Sequence, residues 1–376
     1  MNSTKLQVLL TNYIENFEYI NNDKNNENYK WVIAQMFHDQ FDIDSARFAD
    51  MLYTVWKATD NLVDNSRQLP FYALVDYSRI EPETIRAMFR ELFQSDGGKL
   101  KERQIRIDTF IRKSEDLRKK YRPESWRYAN DQRSVMTYLF LNNPDENYLY
   151  KATQAHEFAD CVEFYDDWGS GSNFFLDVYY RMCDELVTAM RECAPLMKTH
   201  KSRYELKTAS LHEDKELHIL AFDIIYSSQK YGLYNNISYT HPDSKEKKLY
   251  LERVDKARSL QAEYDSVTNS FETLTRVKDY LHSVLTQGMK INHKSFGSGI
   301  IETADEDTLV IFFEQSGERK KFGLLSSLAG GFFKLDIPEI DYYIAENAAL
   351  MKAESGIASK LKSAEDALAP YRENLG

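Results

Sequence analysis

The residues of this chain best suited to chemistry gather in a few short stretches. His156-Glu-Phe-Ala-Asp160, followed by Cys161, Glu163, Asp166 and Asp167, sets an imidazole and a carboxylate four residues apart. That spacing puts them on one helix face, as in a zinc-protease helix. The second histidine of H-E-x-x-H is absent and spacing indicates no third ligand, so a metal-dependent hydrolase using His156, Glu157, Asp160 and Asp166 is the last of three readings. Nucleophilic catalysis has no G-x-S-x-G elbow, and Cys161, Cys183 and Cys193 sit in helical apolar patterns where a structural thiol is the default. The Asp166-Asp-Trp-Gly-Ser-Gly171 run reads as a turn between helices.

A second chemistry is electrostatic. Between Lys99 and Arg133 stand twelve basic residues against six acidic ones, a local charge of +6, with Phe110, Tyr121, Trp126 and Tyr128 among them. Lysine and arginine neutralise phosphates and aromatic rings stack on bases, so Arg103, Arg106, Arg112, Lys113, Arg118, Lys119, Lys120, Arg122, Trp126 and Arg127 form a candidate nucleic-acid surface. The bland alternative is a solvated helix whose cations pair with acids three or four positions away, as Arg112 can with Glu115 or Asp116. The whole chain carries −11, which disfavours non-specific coating of nucleic acid but allows a local basic site.

The elements that must position these residues follow from periodicity. Residues 1–240 read as a large helical domain: Trp31, Ala34, Phe37 and Phe41, then Phe48, Met51, Leu52, Val55 and Trp56, recur at helical spacing, with a start signal at Asp44-Ser45. Pro82 opens a further helix with the stripe Ile85, Met88, Phe89, Leu92 and Phe93, and Leu217, Leu220, Ala221, Ile224 and Ile225 make another buried face. Across 241–286, Leu260, Tyr264, Val267, Phe271, Leu274, Leu281 and Leu285 keep a coiled-coil rhythm broken by Lys278.

Residues 287–337 change period. Apolar runs of four to six residues, broken by Gly297, Gly299 and Gly317 and by the Asp305-Glu-Asp307 turn, predict a small β-barrel. So small a barrel offers a surface rather than a catalytic cavity, and His293, Phe296, Phe313, Arg319, Lys320 and Lys321 are its candidate partner-docking residues, with His293 ordering the first strand and its glycine bend. From 338 to 376, Leu350, Ile357, Leu361, Ala364 and Leu368 predict one helix ended by Pro370 that packs back, antiparallel, on the long helix. The expected fold is therefore mainly α with one small barrel. A dimer through the 260–285 seam is the competing arrangement.

Two resemblances enter at these residues. His293-Lys-Ser-Phe-Gly-Ser-Gly-Ile300, a strand and the Gly-Glu-Arg-Lys-Lys-Phe hairpin resemble the Tudor-like (SH3-like) barrels appended to UvrD/PcrA-type helicases, which implies docking of protein or nucleic acid. Tyr29-Lys-Trp31, the Phe37 to Ile43 run, Ile85 to Phe93 and Leu217 to Tyr226 resemble N-terminal modules of AAA+ ATPases related to the modified-cytosine restriction enzymes. That likeness implies a sensing role. No G-x-x-x-x-G-K-[ST] loop occurs, so an NTPase cycle has to come from a separate motor or effector chain.

With 43% hydrophobic and 13% aromatic residues the chain can bury a sizeable core. Three cysteines without a C-x-x-C pair suggest neither a disulfide framework nor zinc, the N-terminus lacks a secretory signal, and no run of 18 apolar residues occurs. The expectation is a soluble cytoplasmic protein without a cofactor. Its leading reading is a non-catalytic recognition or adaptor protein of a bacterial anti-phage or restriction-type defence system that binds nucleic acid, DNA before RNA, and a protein partner. A pure protein-interaction scaffold that dimerises through 260–285 is the alternative.

Overall fold

The computed structural model describes residues 1–64, 67–205 and 210–375. The chain is mainly helical, with one small antiparallel sheet, and divides into two compact units, 1–248 and 249–376.

The N-terminal unit is all helical, and local signals explain where many of its helices begin. Asn2 caps Ser3–Glu15 by accepting from the Lys5 N–H at 3.1 Å. Asp131 and Ser134 form a reciprocal capping box on Gln132–Asn142. Proline occupies the first turn of Pro70–Ser78, Pro82–Leu92 and Ala194–Ser202, where a missing N–H costs nothing. The apolar stripes face one continuous core running from Leu6 to Tyr234 and including Trp31, Phe37, Leu52, Ile85, Phe89, Leu220 and Ile224. The helix expected from Asp44 starts at Phe48, because the carbonyls of Ile43 and Ser45 are taken by Arg86. Gly169 has φ +66° and a Cβ there would lie 1.8 Å from the Asn173 carbonyl oxygen, so the turn after Trp168 requires glycine.

One polar group lies at the centre of that core. Lys30 and Asp223 have no exposure, nor has Glu27, and Arg203 is 1% exposed. The Lys30 ammonium bonds to Glu27 at 2.5 Å and to Asp223, and it sits 4.6 Å from the Tyr226 ring centre. Arg203 donates to Asp223 at 3.3 Å and to the Tyr13 hydroxyl at 2.9 Å, while Tyr13 itself donates to Asp223. Glu27 also takes Lys230 and the Tyr231 hydroxyl. Burial alone raises the Asp223 carboxyl, but Lys30 and Arg203 outweigh it and hold the group below the ordinary aspartate range.

In the C-terminal unit, β1 (Lys290–His293), β2 (Gly297–Ala304), β3 (Thr308–Phe313), β4 (Glu318–Gly323) and β5 (Phe333–Lys334) form one antiparallel sheet in the order β4-β3-β2-β1-β5. Gly299 leaves room for the partner strand: a Cβ there would meet Ile311 Cγ2 at 2.6 Å. A bulge between Ile301 and Thr303 helps bend β2. The sheet curls until its two edges meet through side chains, with the Phe322 and Phe333 ring centres 5.0 Å apart. A short helix, Leu324–Ala329, joins β4 to β5 and buries Leu324, Leu325 and Leu328 against the sheet core.

The expected packing of the C-terminal segment on the long helix is present. Leu274, Val277, Leu281 and Leu285 of the Ser244–Val284 helix and the residue following it share an apolar cluster with Ile340, Ile344, Met351 and Ile357. Two helices, Pro338–Lys352 and Glu354–Leu368, stand where one was expected, and Pro370 falls in the 3-10 turn after them. The seam runs as far back as its rhythm suggested, with Leu260 and Ala257 buried at its start, but two positions depart from the pattern. Phe271 is 41% exposed, and Val277 rather than Lys278 takes a buried place, since Lys278 turns to Asp307 and Glu354.

Replacing Lys30 with Met would remove the cation that Glu27 and Asp223 share, leaving Glu27 to Lys230 and Asp223 to Arg203 alone, and the expected loss is about 3–5 kcal/mol. Urea unfolding followed by circular dichroism measures it. The Asp223 contribution is in force above the ordinary aspartate value of about 4 and disappears as the pH falls through the lower folded-state value. The gap between wild type and Lys30→Met should therefore be wide at neutral pH and narrow in acid.

Candidate functional site

The basic stretch occupies the helix Leu100–Tyr121 and the turn Trp126–Tyr128. Nine of its twelve cations are paired with carboxylates. Arg103 is buried, with two donors on Asp96 at 2.7 and 2.8 Å and a third on the Glu146 carbonyl, and Arg106 shares the same aspartate at 2.5 Å. These two arginines belong to the interior, where the Arg103 hydrogen bonds hold the Asp96 carboxyl well below its usual range. Lys113 meets Glu91, Arg118 and Lys119 meet Glu115, Lys120 meets Glu81, and Arg122 meets Asp76 at 2.8 Å.

Four of these acids, Asp76, Glu81, Glu91 and Asp96, precede the window in sequence and come to it through the fold. Adding them to the six within it leaves a basic excess of only two. Phe110 is buried, Tyr121 donates to Glu81, and Tyr128 packs on Tyr72 and Tyr77. Of the four aromatics, Trp126 alone is largely exposed, at 62%. Arg112, Lys119, Lys120, Arg122 and Arg127 remain on the surface, Arg127 also donating to the Arg67 carbonyl. A groove of about 600 Å³ lies between this helix and Pro82–Leu92. Its floor is apolar, from Met88 and Leu117, and its lysines, Lys113 and Lys120, are those held by Glu91 and Glu81.

The residues of the hydrolase reading serve other partners. His156 stacks on Trp168 at 4.5 Å, Glu157 accepts from Tyr239, Asp160 is held by Lys247 at 2.7 Å and by His241 at 3.0 Å, and Asp166 pairs with Arg181. Among the described residues no group of three or more His, Cys, Asp or Glu could hold a metal ion. All three cysteines are free and buried, and burial raises the Cys161 thiol to about 12.

The sheet brings together a different set. His293, at the end of β1, is 8% exposed; its Nδ1 accepts the N–H of Ser295 at 3.0 Å and of Phe296 at 3.2 Å. This shapes the turn into β2, as the sequence suggests, and places the imidazole proton on Nε2. Burial lowers the His293 pKa, so the ring is neutral near pH 7. Its Nε2 has no hydrogen-bond partner among the described residues. Around the imidazole stand Phe296 at 4.6 Å, Phe322 at 5.4 Å, Phe333 at 4.8 Å and Phe332, parallel to it at 6.2 Å. Phe296 is 37% exposed and Phe332 51%, and Lys320 sits over the Phe296 ring at 4.6 Å.

The predicted docking residues therefore divide. His293, Phe296 and Lys320 share the aromatic face. Phe313 is fully buried beneath it and belongs to the core. Arg319 and Lys321 alternate with Lys320 and Phe322 along β4 and so take the opposite face. Arg319 there pairs with Glu302 and lies over Phe312. Phe332 and the neighbouring Lys294 were missed. The signal was available: adjacent Phe332 and Phe333 at a strand must point to opposite sides, so only one of them can be core. In comparisons with family models, with curated proteins and with solved structures, nothing matches this chain.

Core and surface phenylalanines should separate in stability. Phe313→Ala removes a fully buried ring and should cost about 3–5 kcal/mol, whereas Phe332→Ser should stay within about 0.5 kcal/mol of wild type. Chemical denaturation monitored by tyrosine and tryptophan fluorescence distinguishes them.

Proposed function

We propose that this chain is a non-catalytic recognition or adaptor protein whose C-terminal unit docks a protein partner on the aromatic face of its curled sheet. The observation that carries the reading is the exposed pair Phe296 and Phe332 set around the neutral, nearly buried His293. Rings left in water beside a well-packed core are the usual anchors of an interface, since covering them recovers apolar area at little entropic cost. The free Nε2–H of His293 supplies one directional donor for a backbone carbonyl. Lys294 and Lys320 border the rings, so the matching partner segment is acidic with an apolar or aromatic anchor. A separate motor or effector chain bearing such a segment is the kind of partner the two resemblances imply.

Nucleic-acid binding is the second reading, and the exposure of Trp126 together with that of Arg112, Lys119, Lys120 and Arg127 in the same stretch favours it. It demands far fewer phosphate contacts than the sequence window suggested, because most of the cations there already have carboxylate partners.

Display of random peptides against the full-length chain tests the first reading. Acidic, aromatic-bearing peptides should be enriched on wild type and lost at least about tenfold on Phe296→Ser and Phe332→Ser, a change of about 1.4 kcal/mol. Enriched peptides indifferent to both substitutions would overturn it. Fluorescence anisotropy with single-stranded DNA, duplex DNA and RNA at two salt concentrations tests the second. Salt-sensitive binding that weakens in the Arg112→Ala, Lys119→Ala, Lys120→Ala triple variant supports it, and no binding at low salt removes it.

A further inference from the structure

A cavity of about 850 Å³ opens in the N-terminal unit, within the range of small-molecule sites. Met197, His200 and Lys201 reach it from the helix Ala194–Ser202, and Tyr204, Leu211 and Asp214 from the segment that follows.

Most polar groups in this wall are already satisfied. Asp214 accepts the N–H groups of Ile219 at 3.1 Å and Leu220 at 2.8 Å, so its two oxygens are spent on the start of the helix His218–Lys230. The Tyr204 hydroxyl donates to the His212 carbonyl and accepts the Asp214 N–H. Two groups stand apart. His200 is 4% exposed, and neither ring nitrogen has a hydrogen-bond partner among the described residues, Nδ1 being fully shielded from solvent. A buried imidazole without a partner is unusual enough to need a reason. Lys201 is exposed and has no ion pair among the described residues.

The geometry of the wall restricts the occupant. His200 and Tyr204 meet edge to face at 5.5 Å and 85°, and His200 leans on Trp31, whose ring also carries the buried Arg203 guanidinium at 3.7 Å. The imidazole is thereby fixed in position. Burial, with Arg203 adding to it, pushes its pKa down to about 4, so it stays neutral and offers a directional hydrogen bond rather than a charge. Met197, Leu211 and the Tyr204 ring give the wall an apolar part, while Glu213 and Lys215, which also line it, pair with each other at 3.6 Å.

We propose that this cavity binds a small planar aromatic or heteroaromatic anion, whose ring lies against Met197, Leu211 and Tyr204 while His200 makes one hydrogen bond and Lys201 meets the negative group. Nucleoside monophosphates and aromatic carboxylates share this chemistry. The site is separate from the aromatic face of the sheet, and neither depends on the other.

Isothermal titration of the full-length chain with adenosine 5′-monophosphate, adenosine, indole-3-acetate and indole provides the test. At least one anion should bind saturably, its uncharged counterpart at least about tenfold more weakly, and Lys201→Met should weaken the anion by a similar factor. The better anion identifies the source. Leu211→Trp, which fills the cavity from a half-buried wall, should abolish binding, with an unaltered melting temperature in the absence of probe showing that the variant folds. Neither anion binding at millimolar concentration overturns the proposal, and so does binding that ignores both Lys201→Met and Leu211→Trp. Phe332→Ser should leave every titration unchanged.

Discussion

An ammonium group without solvent is tolerable only where carboxylates surround it, and the N-terminal unit is organised around that requirement. Lys30 reaches Glu27 within its own segment and Asp223 from nearly two hundred residues away, and Arg203 closes the group from a third direction. Apolar packing alone tolerates sliding of one helix on another, whereas a desolvated charge does not. The first helix, the Trp31 helix, the turn after Ala194–Ser202 and the helix His218–Lys230 are therefore held in one mutual register. His200 inherits its position from this arrangement, since it packs on the same Trp31 ring that carries Arg203.

How much of this could be read from the chain depends on where each interaction's partners lie in sequence. Helical stripes such as Ile85 to Leu92, and strands such as Thr308–Phe313, are written in neighbouring residues and appear where the pattern puts them. Leu324–Ala329 is too short to display a helical period and was not foreseen. The basic window misleads for the opposite reason: its count is correct along the chain, but Asp76, Glu81, Glu91 and Asp96 arrive from the preceding segments and neutralise it in space. Lys30, Arg203 and Asp223 carry no linear signal at all, because nothing in a lysine at position 30 indicates an aspartate at 223.

The curled sheet shows the same logic on a smaller scale. Phe322 and Phe333 join its two edges from within, and the alternation that turns those rings inward turns Phe332 outward. Closure and the exposed aromatic face are thus products of one pattern rather than separate adaptations. His293 links them, because the nitrogen that shapes the β1–β2 turn commits its other nitrogen to the surface.

The thiols give the molecule a property of practical use. Cys161, Cys183 and Cys193 are all reduced, buried and confined to the first 248 residues, while the C-terminal unit contains no cysteine. A thiol-specific alkylating reagent can reach its targets only when the N-terminal unit opens, so the rate of alkylation is a clock for that unit alone. The opening of the N-terminal half can in this way be timed apart from that of the C-terminal half without introducing a label.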